Sequence, residues 1–259
     1  SKLAQFYTNQ NVNVTTEDIL ITTGGSEAIS FGIMSCLDAG DEIIIPEPFY
    51  ANYNGFAIAA GVKVVPIPSA IENGFALPSM EAFEQAVTPK TKAIMPVHMC
   101  GSMADLDALK QICNEHRLIL LEDACQSIGA SYKGRLLGTI GDAGTFSFDF
   151  VKTITCAEGG VVMTNSEDVY VKCDGYTDHG HDHLGVDRGA DLHPFIGYNF
   201  RISELHAAVG LAQIKRLNKF LSIQKKNHAQ LKAILATVPE ISFRRIPDPA
   251  GDSCSFISW

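Results

Sequence analysis

Short unbroken apolar runs, each followed by a helical pattern, set the strongest limit on how this 259-residue chain folds. The segments 18–22, 42–46, 62–66, 92–97, 118–121 and 161–164 read as strands, with Ile43-Ile44-Ile45 and Leu118-Ile119-Leu120-Leu121 apolar throughout. Helices are predicted between them over 25–37, 50–60, 78–86, 103–116 and 166–173. Strands that are apolar on both faces belong to a covered sheet, and strand–helix alternation makes that sheet parallel. The expectation is an α/β chain with a doubly wound, mostly parallel central sheet and helices on both faces. After a polar loop over 174–198, a long helical stretch is expected over 203–235. Ile241-Ser242-Phe243 then reads as the start of another strand.

Composition narrows the function classes. A hydrophobic fraction of 46% supports a real core. A net charge of −9 argues against nucleic acid as a partner. Seven cysteines without a CxxC pair read as reduced thiols, so a cytoplasmic protein is expected. No apolar run reaches about 18 residues, so no transmembrane helix is predicted. Ser1 to Tyr7 lacks a signal-peptide pattern and reads as if it began partway through a helix.

The residues with chemistry lie where strands end. Asp123 closes the run 118–121 with Glu122, and Gln126 lies one turn on. Open α/β sheets bind ligands at that edge, although an Asp-Ala pair also serves as a helix N-cap. Ser147 and Lys152 flank a second strand end, ahead of Gly159-Gly160. Lys152 sits between Val151 and the uncharged Thr153-Ile154-Thr155-Cys156, which predicts burial; desolvation lowers a lysine pKa toward the nucleophilic amine. A buried carboxylate and a nearby amine are the two groups that pyridoxal phosphate (PLP) chemistry requires. Thr22-Thr23-Gly24-Gly25-Ser26 turns from strand to helix, and free N–H groups there bind phosphate, unless this is an ordinary tight turn. Tyr50, after the strand at 42–46, stands where an aromatic ring stacks on a planar cofactor or packs in the core. Asp178-His179-Gly180-His181-Asp182-His183 has the composition of a metal cluster. Alternate residues in a glycine-containing loop rarely converge on one ion, so no metal is expected, and the loop reads as solvated or substrate-lining.

Together these segments resemble PLP-dependent enzymes of the aspartate-aminotransferase fold (type I). From about Lys90 to Trp259 the chain is similar to the DegT-type sugar aminotransferase family. The stretches that carry this are 96–101 (Pro96-Val97-His98), 122–126, 152–160 and 197–204 (Gly197-Tyr198-Asn199-Phe200-Arg201). The resemblance implies Lys152 as the Schiff-base lysine and Asp123 as partner of the pyridine nitrogen. It implies Gln126 near the 3′-oxygen of the ring, Ser147 on the phosphate, and Asn199 reaching the phosphate in the neighbouring subunit of a homodimer. Relatives with histidine at the lysine position are sugar dehydratases, so Lys152 implies transamination, with L-glutamate as the expected donor. The loop over 176–193 resembles that of enzymes aminating an eight-carbon 3-deoxy sugar acid.

The segments 19–28 and 47–53 instead look like the aspartate/aromatic aminotransferase branch, in which Tyr50 stacks on the ring and Gly25-Ser26 caps the phosphate. The chain therefore reads as a junction of two branches near residue 95, made as a chimera, by an assembly artefact or by divergence. The resemblance places a PLP-binding large domain at 1–235 and the start of a truncated small domain at 236–259. It also expects an N-terminal arm that the chain lacks. A PLP-binding fragment without turnover, an aspartate-type aminotransferase, a sugar dehydratase and a metal-binding protein built on His179, His181 and His183 are the alternative readings.

Overall fold

The computed structural model describes residues 2–187 and 189–259. The elements run α1 (Lys2–Thr8), β1 (Ile19–Thr22), α2 (Gly25–Cys36), β2 (Glu42–Glu47), α3 (Asn52–Ala59), β3 (Lys63–Pro68), α4 (Met80–Ala86), β4 (Thr91–Ile94), α5 (Leu106–His116) and β5 (Ile119–Asp123). A two-stranded hairpin of β6 (Ser131–Tyr132) and β7 (Arg135–Leu136) comes next. It leads to β8 (Ala143–Ser147), β9 (Gly160–Thr164), α6 (Glu167–Thr177), α7 (Glu204–Ile214) and α8 (Leu217–Leu235).

Seven strands form one sheet in the order β1-β9-β8-β5-β4-β2-β3, and only β9 runs against its neighbours. The apolar strands explain the two-sided burial. Along β2, Ile43 and Ile45 face a core layer shared with α2, α3 and α6, and Ile44 faces the layer shared with α4 and α5. The first layer joins Ile29 and Ile43 to Leu121, Val162 and Cys173, so the segments on either side of residue 95 share one core. A third cluster packs α1, β1 and the α7–α8 junction around Phe146.

Local chemistry sets the helix ends. The side chain of Asp105 accepts from Ala108 N–H to start α5, and left-handed Arg117 ends it. The face bearing Leu106, Leu109 and Ile112 is wholly buried. Ser166 and Ser203 cap α6 and α7 in the same way.

Two expectations change. The helix over 203–235 is two helices, turned at Lys215-Arg216, where Arg216 N–H donates to Gln213 O at 2.8 Å. That turn lets Ile214 and Leu217 both enter the core. No strand forms at 241–243. The segment beyond it instead folds back over the sheet edge: Ser253 N–H donates to Gly101 O at 3.0 Å, and Ser131 N–H donates to Gly251 O at 2.8 Å. Among the described residues, no helix is long and apolar enough to cross a membrane.

Candidate active site

Strands β1, β5 and β8 run in one direction and end at one sheet edge, at Thr22, Asp123 and Ser147. β9 starts there with Gly160, which pairs with Thr22 on one side and Ser147 on the other. A Cβ on Gly160 would lie 2.4 Å from Gly24 O and 2.5 Å from Thr22 Oγ1, so only glycine lets the turn close. The start of α2 is thereby pressed onto β8: a Cβ on Gly25 would lie 2.6 Å from Ser147 Cβ and 3.2 Å from Cys125 Sγ. Gly24 caps α2 without a side-chain hydrogen bond, so the first-turn N–H groups and the helix dipole face this edge.

The pleat of β5 separates its two carboxylates. Leu121 and Asp123 face the α2–α3 side, and Leu120 and Glu122 face the α4–α5 side. Asp123 is 3% exposed. Its Oδ2 accepts from the Tyr53 hydroxyl, and its Oδ1 accepts from Cys125 N–H at 2.9 Å. No helix follows Asp123, so it is not an N-cap; the hydrogen bond to Cys125 closes a turn instead. Burial, then the Asp123 charge, push the Tyr53 phenol far above its ordinary range, which keeps it a donor. The same two causes raise the Cys125 thiol, with the Lys152 charge opposing them. Cys125 is therefore a protonated packing group close to Lys152.

Glu122 is fully buried and serves structure. It accepts from Gly138 N–H at 2.9 Å, Ile140 N–H at 2.7 Å and Gly141 N–H at 2.6 Å. His98 Nε2 lies 2.9 Å away. Ala104 N–H points at His98 Nδ1 at 3.3 Å, so Nε2 carries the proton donated to Glu122.

Lys152 stands in the loop joining β8 to β9, fixed by its own N–H to Asp149 O at 3.0 Å. It is half-buried rather than enclosed, because Phe150 is 74% and Val151 64% exposed. Val151 therefore does not shield it as its position in the sequence predicts. Gln126 accepts from Cys100 N–H at 3.0 Å and ties down the loop at 99–101. Tyr50 is half-exposed, its hydroxyl accepting from Asn52 Nδ2 at 2.8 Å, its ring edge-on to Tyr53 at 5.7 Å. Ser26 is exposed on the second residue of α2. Asn199 is exposed too, its Oδ1 accepting from Arg201 Nη2 at 2.6 Å.

The fold thus brings Gly25, Asp123, Ser147 and Lys152 to one edge and leaves Ser26, Tyr50 and Asn199 on the surface. Sequence reasoning missed Tyr53. Its signal was the helix predicted over 50–60, on which Tyr53 lies one turn beyond Tyr50; α3 begins only at Asn52, and Tyr53 N–H donates to Tyr50 O at 3.0 Å.

Comparison with known proteins places this arrangement. Residues 3–257 match the DegT/DnrJ/EryC1/StrS aminotransferase family, a single match that spans residue 95. The chain is 32% identical over 211 residues to a GDP-perosamine synthase of Caulobacter vibrioides, covering 78% of this chain and 53% of that protein. It is 35% identical over 201 residues to a GDP-perosamine synthase of Vibrio cholerae, covering 77% and 53%. The chain thus spans about half the length of these curated relatives. Among solved structures, GDP-4-keto-6-deoxymannose-3-dehydratase (ColD) with bound GDP-perosamine superposes with a TM-score of 0.86 at 26% identity, covering 99% of this chain and 69% of that one. The E coli GDP-4-keto-6-deoxy-D-mannose-3-dehydratase with bound hydrated PLP gives 0.85 at 27%, covering 98% and 70%. On its sequence match and its fold, the chain belongs to the PLP-dependent DegT/DnrJ/EryC1/StrS aminotransferase family.

Proposed function

We propose that this chain is the cofactor-binding part of an aminotransferase that moves an amino group from L-glutamate to a keto-sugar. One observation carries the reading: Lys152 and the buried Asp123 share a sheet edge with the Gly25–Ser147 contact.

The residues fit pyridoxal phosphate. The close approach of Gly25 to Ser147 keeps a shallow cradle that a Cβ would fill, and the α2 N–H groups and the Ser147 hydroxyl supply phosphate donors. Asp123 already accepts two hydrogen bonds, yet a carboxylate has about four lone-pair sites, so it has capacity for a ring N–H. When bound, the cofactor supplies an electrophilic carbonyl and a ring that withdraws electrons. Asp123, oriented by Tyr53 and Cys125, holds the proton on the ring nitrogen. Lys152 Nζ is the nucleophile and, once displaced, the base that carries a proton from the donor's Cα. Gln126 and Tyr50 would border the ring of the bound cofactor.

The names of the GDP-perosamine synthases favour a nucleotide-linked keto-sugar. An eight-carbon sugar acid is the second substrate reading, resting on the loop over 176–193. We take the working form to be a cytoplasmic homodimer, with Asn199 serving the partner's site and residues 236–259 opening the small domain. The dehydratase structures favour a second reaction class, against which Lys152 stands.

Adding L-glutamate to the cofactor-loaded chain tests the proposal. Release of 2-oxoglutarate with conversion to pyridoxamine phosphate is expected. Cofactor binding without conversion reduces the chain to a binding fragment.

A further inference from the structure

The loop after α6 gathers histidines and aspartates that the proposed reaction does not use. Ligand atoms of Asp178, His179 and His181 all lie within 4.8 Å of one another. Donors around a tetrahedral zinc ion stand about 3.4 Å apart, so small side-chain rotations close the set. His183 adds a third imidazole and a fourth ligand, its Nε2 3.4 Å from Asp178 Oδ2. The ring of His181 lies parallel to that of His183 at 5.9 Å.

Carboxylates beside two of the rings are the second observation, and for His183 the carboxylate of Asp174 stands on the nitrogen opposite the one that meets Asp178. His183 Nδ1 is 2.6 Å from Asp174 Oδ2, and His181 Nδ1 is 3.3 Å from Asp191 Oδ2. A carboxylate on the far nitrogen is how metal-binding imidazoles are oriented and made more basic. His181 and Asp191 are largely buried, at 8% and 5% side-chain exposure, which is unusual for a solvated loop. Their backbone is held by close packing: Gly180 N–H donates to Gly175 O at 2.8 Å, and a Cβ on Gly197 would lie 2.1 Å from Gly180 N. His179 and His183 adopt left-handed φ of 59° and 53°, which non-glycine residues rarely do. The loop that looked unable to converge is folded back on itself, and this brings its alternate residues together.

We propose that Asp178, His179, His181 and His183 bind one divalent transition ion of the zinc type, distinct from the cofactor edge. Imidazole nitrogen with one carboxylate oxygen is a donor set that zinc accepts and that magnesium and calcium, which prefer all-oxygen shells, do not. Arg201 holds Asp178 Oδ1 at 2.6 Å and also donates to Asn199, so the ion fastens the same loop that carries Asn199. Its role there is structural.

Chelator-treated protein is titrated with Zn²⁺ by calorimetry, and Co²⁺ is used as a spectroscopic probe. One ion per chain is expected, with tetrahedral Co²⁺ bands and no thiolate charge-transfer band. His181→Ala and the milder Asp191→Asn are expected to weaken binding at least tenfold, while Lys152→Ala leaves it unchanged. Circular dichroism confirms that each variant is folded. No stoichiometric ion, affinity unchanged in both loop variants, or a thiolate band would overturn the site. Failure of Lys152→Ala alone to bind Zn²⁺ would place the ion at the cofactor edge and overturn it as well.

Discussion

At the scale of residues, the site turns on groups whose neighbours decide their chemistry. Asp123 is useful because it is buried and its geometry is fixed from both sides, by Tyr53 and by Cys125 N–H. Tyr53→Phe removes a hydrogen bond to a charged group, which is worth about 1.5–3 kcal/mol. An unfolding free energy lowered by that amount in chemical denaturation is expected, together with weaker cofactor binding; an unchanged unfolding free energy would contradict the role. Gly25→Ala puts a methyl against Ser147, where its Cβ would stand 2.6 Å from that of the serine. Overpacking of this kind costs about 1–3 kcal/mol. Since it also fills the phosphate cradle, PLP affinity measured by titration is expected to fall at least tenfold. Asp123, Ser147 and Lys152 were legible in the sequence because each follows an apolar strand. Tyr53 was not, since its partner lies 70 positions away and only the sheet brings them together.

At the scale of elements, β5 does two jobs through its pleat. Glu122 points away from the site and clamps the loops at 98–104 and 138–141. Burial pushes its carboxyl up, but the His98 contact and the N–H groups of Gly141 and Gly138 outweigh this and hold it below its ordinary value. A group with a lowered folded pKa stabilises above its unfolded pKa, about 4.3 here, and loses that stabilisation as pH falls through the folded value. Glu122→Gln replaces an acceptor oxygen by an NH2 group that faces buried donors, and an unsatisfied buried polar group costs about 1–3 kcal/mol. The stability gap between wild type and variant is therefore expected at pH 7 and expected to shrink below about pH 4.3, as chemical denaturation across pH will show. A gap independent of pH would contradict the account. Strands β2, β4 and β5 were readable because continuous apolar runs have few alternatives. The turn between α7 and α8 was hidden, because Lys215 and Arg216 are good helix formers and neither glycine nor proline marks the break. The expected strand at 241–243 failed for a different reason: strand propensity needs a pairing partner, and the segment beyond it bonds to Gly101 and Ser131 instead.

At the scale of the whole molecule, the site edge is lined with exposed apolar groups. Phe150, Val151 and Tyr50 are at least 50% exposed there, and Leu205, Val209 and Leu211 on α7 are at least 44% exposed. Exposed apolar surface on this scale is what a second subunit covers. Light scattering is expected to give about twice the 28.0 kDa chain mass, and Leu205→Glu to shift it toward one. A monomeric wild type would remove the assignment of Asn199 to a partner's site. The segments on either side of residue 95, which one family match spans, pack as one core around Ile43 and Leu121.

The central claim is that this edge holds pyridoxal phosphate through Lys152. Absorbance titration of the purified chain with the cofactor tests it most directly. A saturable visible band of one cofactor per chain, absent from Lys152→Ala, is the predicted result. A wild type without that band, or a Lys152→Ala variant that keeps it, would contradict the account.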